Sequence, residues 1–486
     1  MEEKNLKRKT KVGMAWNAIE KISVQGISFI ISIILARLLN PHDYGIIGMV
    51  SIFITFANVF IDSGFLRALI QKQDRNEIDY STTLIFNVLI SIILYLILFI
   101  AAPYIANFYK TPELVRIQRV LFLFIIINSL TIVQNAKLQI NLDFKSIAII
   151  TAISTILSGF IAVIFALKGF GVWALVIQTL SKALISFIGL WIRGKWIPKT
   201  GFSIDSFKKL FSYGSKLLFS GLLGTTISNV NNLIIGKIYN PENLGFYTRG
   251  QQFPDLTVGT LNSVLTNSTF PMMTALQDNH EELLNVFKRL LKLTSLIVFP
   301  AMIGMAILSE NIMLVILGEK WLPAAIYLFW LSISNILVPL SSLNLNLLNA
   351  IGRSDLFLKI DIAKVPIIIL TMIITFPISL KAVVIGMTIT SVIYFYMNTF
   401  MINKIFKFGF FKQILLVWKT IIASLIMGIL VFFIKNIFDN MLYGLIIGIL
   451  TGIISYTILL FFLREEELYL FFNKLKIYLN NTKKNK

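Results

Sequence analysis

Ala36–Gly45 reads ARLLNPHDYG, and Gly236–Gly245, two hundred positions on, reads GKIYNPENLG. Asn, Pro and Gly are identical in the two, and five more positions agree in type: Ala/Gly, Arg/Lys, Leu/Ile, Asp/Asn and Tyr/Leu. Asn-Pro alone is a common helix stop. Here offset, sequence and position agree, because each copy separates two long apolar segments at the same place in its half. A duplicated chain is therefore expected. Membrane proteins made of two copies of one bundle work by moving one copy against the other around a central site.

Outward from the repeat, composition sets the class. The chain is 56% hydrophobic and 14% charged, where a soluble domain carries about 25% charged residues. Fourteen apolar windows, from 13–38 to 441–463, are each long enough for the ~30 Å hydrocarbon core of a bilayer. Twelve spans result if some windows re-enter or lie on the surface. Cysteine is absent, which removes disulfides, thiolate nucleophiles and Cys-based metal sites. The two histidines, His42 and His280, fall in expected loops. The first apolar stretch carries Asn17, Glu20 and Lys21 and lacks a small-residue cleavage site, so it reads as a retained helix.

A net charge of +20 invites a nucleic-acid partner, but its distribution points to a membrane and to no nucleic acid. With the N-terminus in the cytoplasm, 29 tail and loop Lys and Arg fall inside and 9 outside, the positive-inside asymmetry. Both termini are then cytoplasmic and the number of spans is even. Basic tails are also drawn to anionic membrane lipids.

The expected fold is an all-α polytopic membrane protein with about 14 transmembrane helices. Residues 1–193 make an N-terminal six-helix lobe, 194–209 a cytoplasmic linker, and 210–405 a second six-helix lobe. Two additional helices occupy 406–463, and 464–486 form a basic cytoplasmic tail. Six is even, so the repeat is parallel. No extramembrane stretch is long enough for a catalytic domain, and no metal cluster, phosphate loop or Ser-His-Asp set occurs. The chain is not expected to be an enzyme. In the connection Gly318–Trp321, Trp321 suits the interfacial aromatic belt.

Polar residues recur at helical spacing in the first two helices of each lobe. The sets are Asn17, Lys21, Gln25, Ser28 and Ser32; Ser51, Thr55, Asn58 and Asp62; Lys216, Ser220, Gly224, Ser228 and Asn231; and Thr248, Gln252, Asp255, Gly259, Asn262 and Thr266. Each set shares one helix face. Hydroxyls and amides on such a face can simply join helices. Charges cannot be dismissed so readily, since each costs ~2.5–3.5 kcal/mol at the bilayer centre. Lys182 lies about 16 Å from either end of its helix by the 1.5 Å rise, and Asp255 is similarly deep. Glu20, Lys21, Asp62, Lys216, Arg249 and Lys364 lie nearer the ends, where they can snorkel. These charges are expected to face a wet cavity or one another. Lys21, Lys182, Lys216 and Arg249, with Asn17, Gln25, Asn231 and Gln252, are the candidate substrate-binding set. Glu20, Asp62 and Asp255 are the candidates for coupling to a proton or sodium gradient, and Pro254 places a helix irregularity beside Asp255. No cofactor is called for.

ARLLNPHDYGIIGMVSIF (36–53), GFGVWALV (169–176), NNLIIGKIYNPENLGFYTRGQQF (231–253), LGEKWLPAA (317–325) and LNAIGRSDLFLK (348–359) follow one another in order. With them the chain resembles the polysaccharide-transporter branch of the multidrug/oligosaccharidyl-lipid/polysaccharide exporter superfamily, which includes O-antigen flippases and teichuronic-acid exporters. The resemblance implies a two-lobed, V-shaped transporter that moves undecaprenyl-diphosphate-linked oligosaccharide from the inner to the outer leaflet by alternating access. It also implies glycosyltransferases that make the cargo and a polymerase or ligase that uses it. Relatives often carry Asp where Asn231 stands, so the resemblance does not carry coupling through that position over to this chain. Two other classes remain: a drug or cation exporter of the same fold, which favours an acidic cavity, and a polytopic glycosyltransferase or polymerase, which needs a large loop or paired carboxylates.

Overall fold

The computed structural model describes residues 2–61 and 65–468. Among the described residues every regular element is helical. By packing the chain divides into Met1–Gly245 and Phe246–Lys486.

The first unit opens with α1 (Glu2–Leu38) and α2 (Pro41–Ile61), the latter followed by a short helix, Phe65–Gln71. Then come α3 (Glu77–Tyr109), α4 (Leu114–Ile140, interrupted at Phe122 and at 130–131), α5 (Phe144–Leu167) and α6 (Trp173–Gly194). The helix α7 (Ile204–Ile238) packs along α2, so the opening helix of the second copy belongs by contact to the first unit. Small residues let these helices approach. A side chain on Gly159 would strike Ile31, and one on Gly189 would strike Ile150, the close packing that glycine permits between membrane helices. The long outward rows of α3, including Ile93, Ile97, Ile100 and Tyr104, stay exposed, as a lipid-facing surface requires.

The linker is an ordered strap. Trp196 is buried, and its indole N–H donates to Glu77 at 2.7 Å while its carbonyl accepts from Gln134 at 2.7 Å. Ser203 caps α7, and its own N–H donates to Thr82. Asp79 sits at the centre, 1% exposed and 2.6 Å from Lys72 Nζ. It also accepts from the Ser206 hydroxyl and closes a reciprocal capping box with Asn76. Nearby, Asp143 caps α5 and meets Arg193 at 3.0 Å. Partial burial works to raise the Asp143 pKa, but Ser146 and Arg193 outweigh it and hold the carboxyl below its usual value.

α8 (Pro241–Ala275) begins in the first unit and continues into the second, which contains α9 (His280–Ile307), α10 (Glu319–Ala350, opening on a 3-10 turn), α11 (Ser354–Thr375) and α12 (Leu380–Phe406). A short helix, Phe410–Leu416, leads to α13 (Trp418–Ile437) and α14 (Met441–Phe462). The second unit's main core joins Phe287 and Leu291 of α9 to Leu343 and Leu347 of α10 and Phe395 of α12. α13 and α14 lean on α9 through Leu308, Met427, Val431 and Leu445. Their basic-end junction is tied by Arg289–Glu467 (3.2 Å) and Lys292–Glu466 (3.3 Å).

Ten helices, among the described residues, are long and apolar enough to cross a membrane. The four other expected spans, α1, α7, α8 and α11, are also long. They carry three of the four polar stripes or, in α11, Asp355, Lys359, Asp361 and Lys364. One expectation is corrected here. Trp321 is fully buried, edge-on to Phe246 at 6.2 Å, rather than in an interfacial belt. The 3-10 turn at 319–324 directs it inward.

Candidate functional site

The two Asn-Pro turns adopt the same local structure. In each, a proline opens a helix, where its missing N–H is no loss. Asn240 caps the second copy by accepting from the Asn243 N–H at 2.8 Å. In the first copy the reciprocal bond is present, the Asn40 N–H donating to Asp43 at 2.9 Å. The turns also cross one another. A Cβ on Gly45 would fall on the Pro241 carbonyl, and a Cβ on Gly245 would fall on the Pro41 carbonyl. Each copy's glycine thus receives the other copy's proline, backbone against backbone. Beside the crossing, Lys237 Nζ donates to the Phe108 carbonyl at 2.5 Å and lies 4.2 Å from that ring's centroid, which ties α7 to the end of α3. The glycines were visible in the repeat, but their contact was not; only the pairing of identical Gly and Pro in both copies hinted at it.

The polar stripes are distributed between the units. In the first, Glu20 is half-buried beside the Thr151 hydroxyl and its neighbour Lys21, Lys21 is exposed, and Gln25 is half-buried. Asn231 is half-buried on α7. Asp62 lies outside the described residues, as do the side chains of Asn17 and Lys216. Lys182 is half-buried on α6 and forms no ion pair among the described residues. In the second unit, Arg249 donates to Gln252 and sits 6.0 Å above Trp321. Asp255 is exposed, next to buried Pro254 and beside Gln251. Lys364 pairs with Asp361 at 2.8 Å. The structure therefore joins Arg249 with Gln252, and sets Glu20 against the Thr151 hydroxyl of α5.

Three hydroxyls of the stripes donate within their own helices. Ser32 donates to the Phe29 carbonyl, Ser51 to Gly48 and Thr55 to Ser51, at 2.7–2.8 Å. Back-bonding uses the hydroxyl proton, so the Ser51 and Thr55 oxygens still offer lone pairs to a polar cargo. In the second unit a 400 Å³ groove between α9, α13 and α14 is lined by apolar residues and glycines, among them Pro300, Gly304, Met427, Gly448 and Gly452. Nothing in the sequence reading marked it. The signal was the run of small residues on α14.

The family model described as polysaccharide biosynthesis protein matches residues 34–326, through both Asn-Pro turns. The chain belongs to this family. Among similar proteins, the teichuronic acid biosynthesis protein TuaB of Bacillus subtilis (strain 168) is 28% identical over 350 residues, 71% of this chain and 72% of its own. The lipopolysaccharide biosynthesis protein WzxC of Escherichia coli (strain K12) is 24% identical over 366 residues, 74% of each chain. The solved structure of lipid II flippase MurJ in an inward closed conformation matches with a TM-score of 0.75 at 17% identity, covering 93% of this chain and 99% of its own. A multidrug MATE transporter in its inward-facing form matches with a TM-score of 0.62 at 15% identity, covering 80% and 99%. At those identities the structural likeness establishes the fold. It is that of the exporter superfamily to which the quoted motifs pointed.

Proposed function

We infer that this family member is a multi-pass inner-membrane flippase. It translocates undecaprenyl-diphosphate-linked oligosaccharide units to the outer leaflet for cell-surface polysaccharide synthesis, by alternating access. The observation that carries this reading is the family match through both copies of the repeat. The chemistry supports it. A diphosphate needs cations, which Lys21, Lys182, Lys216 and Arg249 supply, and sugars need amides and hydroxyls, which the stripes supply. The apolar groove beside α14 suits a polyprenyl chain, which gains by leaving no methylene in contact with water. The alternative, a cation exporter of the same fold, fits poorly with Lys21, Lys216 and Arg249 on the striped helices and Lys182 on α6. Purified protein in liposomes should expose a fluorescent lipid-linked oligosaccharide to an outside quencher. Equal exposure in protein-free liposomes would remove the reading. Single changes of Lys21, Lys216 or Arg249 to Ala should cut export at least tenfold, about one lost charged contact's worth, with protein level unchanged. Loss of protein instead would assign these residues to structural pairs.

The topology that goes with this reading has both termini cytoplasmic and both Asn-Pro turns outside. The chain has no native cysteine, so cysteines introduced at Asn40 and Asn240 are clean probes. Both should label with an impermeant reagent from outside. Labelling from opposite sides would break the parallel repeat. Glycosyltransferases that build the cargo and a polymerase that consumes it complete the proposed pathway.

Coupling is assigned to Asp255, with Asp62 and Glu20 as further carboxylates. An ion drives transport only if it binds the two arrangements unequally, and an intramembrane carboxylate can do so. Asp255→Asn should leave cargo binding intact and remove the response of flipping to a proton or sodium gradient. Gradient-independent flipping by the unmodified protein would assign the driving force to consumption of cargo outside.

A further inference from the structure

A groove of 500 Å³ opens at the basic end of the second unit, lined by Lys288, Lys407 and Lys412 together with Leu284, Leu415 and Leu416. No carboxylate lines it among the described residues. Its wall is a fixed turn. α12 ends at Phe406, and Lys407 takes the left-handed backbone (φ 52°), which side-chain-bearing residues avoid. Gln413, 1% exposed, holds the turn from behind. It exchanges amide hydrogen bonds with Asn344 of α10 at 2.8 and 3.0 Å and donates to the Phe408 carbonyl at 3.3 Å. Phe408 is buried edge-on against Phe287 of α9.

The ammonium groups are held on this frame. Lys412 Nζ donates to the Lys407 carbonyl at 2.8 Å, and Lys288 Nζ lies 5.4 Å from the Phe408 ring centroid. Like charges arranged around one concavity repel, and an anion between them relieves that repulsion. The groove's flank is apolar and open: Phe411 is 81% exposed and Leu415 69%. Cations beside an exposed apolar ledge match the boundary between a lipid's phosphate and its chains.

We propose that this groove holds the headgroup phosphate of an anionic bilayer phospholipid, with Lys288, Lys407 and Lys412 around the phosphate and Phe411 and Leu415 against the chains. The site differs from the diffuse attraction of a basic surface because Lys407 and Lys412 share one pinned turn and Lys288 of α9 lies against that turn's Phe408 ring. It rests on the membrane reading alone and not on transport. Native mass spectrometry of the full chain in detergent, titrated with phosphatidylglycerol, tests it. Wild-type protein should retain the lipid in preference to phosphatidylcholine. Lys288→Gln/Lys412→Gln should bind it roughly twenty- to thirtyfold more weakly, roughly fivefold per lysine. Lys288→Arg/Lys412→Arg and Lys404→Gln should both keep it. Unchanged retention by the double glutamine variant overturns the proposal, as does loss of lipid from the arginine variant. Displacement by millimolar inorganic phosphate would make this a small-anion site. Displacement by equimolar undecaprenyl diphosphate would make it a cargo site. Either displacement also overturns the proposal.

Discussion

Gly45→Ala should abolish glycan export, although it adds one methyl group. The new carbon would occupy the position of the Pro241 carbonyl. A side chain can swing away from such an intrusion; a helix-opening backbone cannot. Overpacking costs ~1–3 kcal/mol when neighbours can adjust, and a backbone neighbour places this change at the upper end. Gly245→Ala should behave alike, through Pro41. Gly26 of α1 is the control, since nothing lies within 4 Å of a Cβ built there. Gly26→Ala should keep export and gain up to ~1 kcal/mol from helix propensity. Thermal unfolding in detergent, together with surface glycan measured in cells, separates the two. Matching melting points and matching export for Gly45→Ala and Gly26→Ala would show that the turns do not press together.

Asp79→Ala should be the most destabilising single change at the opposite end of the first unit. Asp79 gathers Lys72, Ser206 and the Asn76 backbone around one buried carboxylate. Its removal leaves the Lys72 ammonium, only 18% exposed, without its partner. Breaking a buried pair in this way costs ~3–5 kcal/mol. Lys72→Met/Asp79→Ala should recover part of the loss, because the stranded charge is then absent. A double variant as unstable as Asp79→Ala would assign the cost to the α3 cap and the Ser206 contact instead of the ion pair. Chemical or thermal unfolding of the purified protein reads both outcomes.

The helical class and the family were legible because they rest on long patterns. Apolar windows, turn residues and loop cations each recur many times along the chain, so local exceptions do not disturb them. The matching conformation of the two Asn-Pro turns was legible for the same reason, as Asn at a cap and Pro at the first helical position have fixed backbone meanings. Individual environments were harder. Trp321 reads as a belt residue from its place in a connection, yet a short 3-10 turn buries it. The linker reads as a polar interruption, yet Trp196 and Ser206 dock it onto α3. Both outcomes depend on partners more than a hundred residues away, or on a single turn's direction, which periodicity does not encode. The candidate polar stripes lie between these cases. Helical spacing placed Gln252 with Thr248 and Asp255, yet its bond is to Arg249, and nothing in spacing told that Ser51 and Thr55 would bond their own helix.

The crossing of the Asn-Pro turns also constrains how such a chain can evolve. After a duplication, two copies ordinarily drift apart, each free to change at its own pace. Here the glycine of each copy is sized to the proline of the other. A bulkier residue at position 45 is tolerable only if the chain near 241 retreats, and the same holds between 245 and 41. The two halves should therefore have changed at these four positions as a linked set, while their surrounding loops diverged freely.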